Sequence, residues 1–261
     1  MRRILIGTAA GLTLAGAALA QTAPVLPTGY LGAERWPDAA RILPPAPQIG
    51  SVREAQDQAV FRATRSLQGQ PRWSLAEADV PTLPPAMLKT FACAVGADLT
   101  PDNAPRLTNL LSRVGLDVGR QVASVKDVFQ RKRPYLIEDG PICVAKSEDL
   151  AASPDYPSGH ASWGWAIGLI LTELAPDRAT EILTRARAYG ESRVVCGVHS
   201  PSAVEAGRTN GAAMVAALRA DPQFRLDLDA ARAEVEAARR TAGAPAPHCA
   251  AEAELLATPA W

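Results

Sequence analysis

Aromatic residues make up only 5% of this 261-residue sequence. Runs that alternate β-branched or aromatic residues with polar ones are nearly absent, so there is little from which to build a sheet. Net charge is lacking too: lysine plus arginine and aspartate plus glutamate stand at 27 each. No global field exists to gather nucleic acid or an anionic membrane, and any anion site must be local. Beyond the first twenty residues no segment reaches the roughly 18 uninterrupted apolar residues needed to cross a bilayer. The four cysteines include no CxxC pair, which argues against a zinc site. Histidine is scarce, with three residues in all, and no internal repeat of about 20 to 50 residues is found.

What is present begins with an export signal. MRRILIGTAAGLTLAGAALA places Arg2 and Arg3 ahead of an apolar run that ends in Ala18-Leu19-Ala20, a small-residue cleavage site. Residues 1–20 are therefore read as a signal peptide, and the mature chain as periplasmic or secreted with no stable membrane insertion. Residues 21–50 carry Pro24, Pro27, Pro37, Pro44, Pro45 and Pro47 and read as an extended arm rather than core. Residues 51–261 read as one all-α domain. Ser51 and Glu54 make a capping box for a helix to about Leu67. Leu107, Leu110, Leu111, Val114 and Val118 form the buried stripe of a helix over 104–128. Further helices are expected over 85–95, 158–174, 177–194, 202–218 and 222–240, the last capped by Asp221 ahead of Pro222. The alanine-rich tail from Thr241 reads as loosely structured and tethered by Cys249. An even number of cysteines in an oxidising compartment favours two disulfides, with three connectivities open.

Three segments combine anion-binding chemistry with histidine. In KDVFQRKRP, Lys126 and Arg133 are seven apart and share a face if the helix runs that far, with Pro134 ending it. Arginine offers a planar fork for two oxygens and lysine a movable point charge; the plainer alternative is a solvated basic helix end. In YPSGHAS, Ser158 and Gly159 open an apolar helix whose unpaired N–H groups face outward, with His160 in the same turn. A serine cap followed by an incidental histidine is the alternative there. In SRVVCGVH, Arg193 and His199 are six apart, so a break near Gly197 is needed to bring them together. Otherwise they are a surface arginine and a capping histidine. His248, in the tail, reads as incidental.

Taken in order, Lys126-x6-Arg133-Pro134, Pro157-Ser158-Gly159-His160 and Ser192-Arg193-x5-His199 resemble the signature of the type-2 phosphatidic acid phosphatase superfamily. Within it the chain is most similar to the bacterial class A non-specific acid phosphatases. DQAVFRATRSLQGQPRW, Cys143 ahead of YPSGH, and GESRVVCGVH extend the likeness to about two thirds of the mature chain. The resemblance implies an all-α helix bundle, no metal or other cofactor, a small phosphomonoester substrate, and a fold that forms homo-oligomers in some relatives. It implies that His199 attacks phosphorus and that His160 protonates the leaving oxygen, while Lys126, Arg133, Arg193, Ser158 and Gly159 bind phosphate. Three cations are expected to depress both histidine pKa values and a bound dianion to raise them, giving an acidic optimum. Because the second and third segments must then converge, Cys143 is expected to pair with Cys196, leaving Cys93 with Cys249.

One position departs from the pattern. The family places an aspartate four residues after the nucleophile, where it fixes the imidazole tautomer; this chain has Ala203. Glu205 lies about 240° around the helix from His199, at 100° per residue, and is better explained as a capping-box partner of Ser202. A backbone carbonyl, a water or a carboxylate from another segment is left to orient His199. A slowed phosphatase is the expectation. Its rivals are a vanadium-dependent haloperoxidase with the same anion cage, a non-catalytic phosphate-binding relative, and a lipid-phosphate phosphatase at the membrane surface. No amphipathic stretch supports the last of these.

Overall fold

Proline, which breaks helix interiors, starts helices in this protein. The computed structural model describes residues 28–261; the signal peptide expected over residues 1–20 lies outside them. Eleven α-helices and no strand occur among the described residues. They are α1 (Ala39–Ile42), α2 (Val52–Thr64), α3 (Pro71–Ala78), α4 (Pro84–Val95), α5 (Pro105–Phe129), α6 (Glu148–Ala152), α7 (Gly159–Leu174), α8 (Ala179–Val195), α9 (Pro201–Leu218), α10 (Pro222–Thr241) and α11 (Pro247–Leu256). Six of them, α3, α4, α5, α9, α10 and α11, carry proline in the first turn. There its fixed φ is pre-set for the helix and its missing N–H is not needed. Side chains cap starts as well: Ser51 accepts from Glu54 N, Ser158 from Ala161 N, and Asp221, ahead of Pro222, from Gln223 N and Phe224 N. Each such cap contributes about 1 kcal/mol.

The α5 stripe is buried as its spacing predicts, from Leu107 through Val125. It packs on α7 and α10, and α7 lies between α8 and α9. The α7–α9 contact is close enough to exclude side chains at one point, where a Cβ on Gly211 would sit 2.4 Å from the Ser162 carbonyl oxygen. That approach brings the start of α7, the end of α8 and the start of α9 to one end of the bundle. Truncating a core residue such as Leu110, fully buried in the main cluster, is expected to cost about 2–5 kcal/mol.

Two regions differ from the sequence reading. The described part of the proline-rich arm holds only one 3-10 turn, Ala33–Arg35, and the four-residue α1, yet Tyr30 and Leu31 enter the main core cluster. Their backbone N–H groups donate to the Asp117 carboxylate on α5, at 2.7 Å from Tyr30 and 3.2 Å from Leu31. Proline spacing keeps helix there to single turns but does not forbid burial. The tail is not loose, because Pro247 opens α11 and Leu256 is buried. A helix of ten residues is marginal alone; the Cys93–Cys249 disulfide and the Leu256 contact hold it. The second disulfide joins Cys143 to Cys196, so both pairings are those expected.

Candidate active site

Lys126, Arg133 and Arg193 are three buried cations at this end of the bundle, and among the described residues none forms an ion pair with a carboxylate. Backbone and hydroxyl oxygens hold them instead. Lys126 Nζ donates to Pro154 O at 2.6 Å and Ser153 Oγ at 3.1 Å. Arg133 donates from Nε to Ser153 O at 2.7 Å, from Nη1 to Val198 O at 2.7 Å and from Nη2 to Ser153 Oγ at 3.1 Å. Arg193 donates from Nη2 to Ala76 O, and its Nε is buried with no partner. An unpaired buried guanidinium N–H costs free energy that a bound anion would recover.

Helix α5 stops at Phe129, with Gln130 in the left-handed region at φ 45°. The condition for a shared helix face, a helix continuing to Arg133, is therefore not met. The chain turns after Gln130, and both side chains reach Ser153 from different directions. The break expected near Gly197 is present. α8 ends at Val195, Gly197 takes φ 80°, and the N–H groups of Val198 and His199 fold back onto Arg193 O at 3.1 and 3.2 Å. Arg65 on the rim of α2 secures that turn, donating to Val194 O at 3.0 Å and Val195 O at 2.7 Å.

His199 is buried, and its ring is fixed at both nitrogens. Nδ1 lies 2.7 Å from Asp155 O and 3.0 Å from Asp155 Oδ1, while Nε2 lies 3.2 Å from Arg133 Nη1. Asp155 O and Arg133 Nη1 can be satisfied together only if Nδ1 carries the hydrogen and Nε2 accepts. Nε2 thus presents its lone pair among the cations. Burial, followed by Arg133 and Lys126, pushes the His199 pKa well below the usual histidine range. His160 is only half-buried by exposure and donates Nε2–H to Val80 O at 3.0 Å. Desolvation and then Arg193 hold its pKa well below the usual value. The direction is the one expected, but burial rather than the cations is the larger cause for both rings. Lys126 is lowered to about 8, by burial first and Arg133 second. Burial likewise lowers Arg133 and Arg193.

Ser158 and Gly159 stand at the start of α7, as expected, with Ser158 N donating to Ala203 O at 2.9 Å. The N–H groups of Gly159 and His160 in that first turn have no intrahelical acceptor. Ser192, by contrast, points away into a buried network, donating to Asp79 Oδ2 at 2.6 Å. Ala203 lies in an apolar cluster with Leu43, Val125, Tyr156 and Ala206. The cap of α9 is Ser200 rather than Ser202, and Glu205 is exposed and paired with Arg53. Residues that sequence reasoning missed are Ser153, whose oxygens organise Lys126 and Arg133, together with Asp155, Arg131 and Asp57. A cleft of about 1000 Å³ between α4, α8 and the tail contains neither His160 nor His199 but is lined by His248.

Buried cations that have no carboxylate partner among the described residues, an imidazole whose acceptor nitrogen meets one of them, and a second imidazole nearby make this end of the helical bundle a candidate oxyanion site. The PAP2 superfamily model matches residues 107–227, a span that includes all three motif segments. The acid phosphatase of Zymomonas mobilis subsp. mobilis is 42% identical over 204 residues, covering 78% of this chain and 77% of that relative. The non-specific acid phosphatase of Providencia stuartii is 34% identical over 207 residues, covering 78% and 84%. That of Salmonella typhimurium is 33% identical over 196 residues, covering 74% and 78%. The chain belongs to the PAP2 superfamily.

Proposed function

We propose that this protein is an acid phosphatase, a phosphoric monoester hydrolase that works through a phosphohistidine on His199. The observation that carries the reading is the set of Lys126, Arg133 and Arg193, buried close enough to His199 to act on its charge, without carboxylate partners among the described residues, and with Arg133 Nη1 3.2 Å from its acceptor nitrogen. Phosphoryl transfer needs charge neutralisation and in-line positioning above all, and these three cations supply the first. The Nε2 lone pair attacks phosphorus as the ester P–O bond breaks. His160, once protonated, gives its proton to the departing alkoxide. Water, deprotonated by His160, then cleaves the N–P bond, and hydrogen phosphate leaves with His199 neutral and His160 protonated again; His160 gives that proton to solvent as the dianion departs. His160 already carries hydrogen on Nε2, directed at Val80 O, so the proton it gains resides on Nδ1.

The binding of a phosphate dianion offsets the desolvated cations and raises the His160 pKa, which makes the protonated form available under acidic conditions. The substrate class is a small phosphomonoester, in keeping with the names of the similar proteins. Two disulfides support an extracytoplasmic setting, with the periplasm as the compartment. Hydrolysis of a chromogenic phosphomonoester tests the reading. Wild type is expected to turn over with an acidic optimum, and His199→Ala and His160→Ala to lose at least about a thousandfold in kcat. Wild-type turnover in His199→Ala would overturn it.

A further inference from the structure

Resting on the reading of His199 as nucleophile, we propose that Asp155 is its positioning residue, holding the imidazole from the loop ahead of α7 where Ala203 on α9 cannot. Nδ1 bears one hydrogen, and the two acceptors within 3.0 Å of it are the carbonyl and the carboxylate of this one residue. Both select the same tautomer and leave the attacking lone pair on Nε2, where only the Arg133 contact at 3.2 Å has to be released.

The carboxylate is itself fixed by donors alone. Asp155 Oδ1 accepts from Ser200 N at 3.0 Å and Oδ2 from Ser200 Oγ at 2.6 Å, with Arg131 Nη1 3.3 Å from Oδ2. Arg131 is braced by Asp57 Oδ2 at 2.8 Å, and Asp57 Oδ1 accepts Ser202 N at 3.0 Å. The Asp155 backbone N–H closes the loop onto Arg131 O at 2.7 Å. Burial pushes the Asp155 pKa upward, opposed by Arg131 and both Ser200 donors. Since every neighbour within reach donates, the ionised carboxylate is the form they satisfy. The start of α9 therefore contributes Ser200 and Ser202 to the brace while its Ala203 faces an apolar cluster. The orienting carboxylate thus comes from the loop ahead of α7 and not from α9.

Asp155→Asn tests this without touching the cations. The variant keeps the Asp155 carbonyl, which still selects the Nδ1–H tautomer, so the loss should be smaller than the roughly 10⁴-fold seen where an orienting aspartate is the sole guide. kcat is expected to fall about tenfold to a hundredfold, with KM changed less than about threefold because Lys126, Arg133 and Arg193 are intact. A merely structural residue would not move the imidazole proton. In proton NMR a downfield Nδ1–H signal, assigned by its loss in His199→Gln, should shift upfield in Asp155→Asn. An unmoved signal, or wild-type kcat in Asp155→Asn beside an inactive His199→Gln, would overturn the role of Asp155 and leave the phosphohistidine reading standing. Wild-type turnover in His199→Gln would sink both. Should Asp155→Asn fail to fold, the nitrogen-15 shifts of His199 in the wild type decide: hydrogen on Nδ1 supports the proposal, and hydrogen on Nε2 contradicts it.

Discussion

Installing aspartate at position 203 restores the letter that the family signature carries, and the structure predicts that it makes the enzyme worse. Ala203 is fully buried against Ala39, Leu43, Ala46, Val125, Tyr156 and Ala206. The single hydrogen on His199 Nδ1 is already committed to Asp155, so a new carboxylate finds no donor on that ring. Overpacking costs about 1–3 kcal/mol, and a buried carboxylate without a partner costs several more unless it protonates. A combined loss of about 3–5 kcal/mol converts, at about 2–4 °C per kcal/mol for a domain of this size, to a Tm lowered by about 6–20 °C. Thermal unfolding gives the first readout, and hydrolysis of a chromogenic phosphomonoester at 25 °C gives the second. No gain in kcat beyond about threefold is expected. A tenfold rise in kcat with Tm unchanged would refute the reasoning, because it would mean that His199 lacks an orienting partner in the wild type.

Other consequences are open to measurement. Arg193→Lys loses the planar fork and the buried Nε donor, so kcat/KM should fall about ten- to a hundredfold, the worth of one charge-assisted hydrogen bond of about 1.5–3 kcal/mol; an unchanged value would remove Arg193 from the site. Sulfate, a dianion throughout the range, should bind more tightly as pH falls from 8 to 5, by up to about one log unit per pH unit. In the free protein His160 is neutral because its pKa is depressed, and the bound dianion raises it, so binding takes up a proton; calorimetry in two buffers of different ionisation enthalpy would show no difference if this is wrong. Opening the Cys143–Cys196 bridge, with a sequence separation of 53, should cost about 4 kcal/mol by loop entropy. It should lower kcat as well, since that bridge ties the 143 segment to the turn that presents His199; a variant with Tm and kcat unchanged would contradict this.

The sequence reading located the helices and the site by different routes, with different success. The α5 stripe and the α9 and α10 helices follow from apolar spacing and from proline at a helix start, which are local signals. Short helices α1, α3, α6 and α11 carry too few turns for a period to be seen, and α11 depends on a disulfide 156 residues distant in sequence. Lys126, Arg133, His160, Arg193 and His199 were legible as candidates because the three segments that carry them resemble a known family signature. The route by which Arg133 arrives was not, since Gln130 adopts a left-handed turn that no glycine announces. Asp155 was the least legible. Nothing in SPDYPSGH distinguishes its aspartate from a turn residue; its partners Ser200 and Arg131, and the Asp57 that braces Arg131, come from three other segments. Ala203 was visible as a departure; what answers it lies across the site and is found only in three dimensions.

The central claim is that phosphorus passes through His199. Rapid quenching of wild type with a phosphorus-32 labelled phosphomonoester, followed by digestion under alkaline conditions, measures this directly. The account predicts base-stable, acid-labile label on the peptide that contains His199, and none in His199→Ala. Turnover without any trapped label at saturating substrate, or label that persists in His199→Ala, would contradict it.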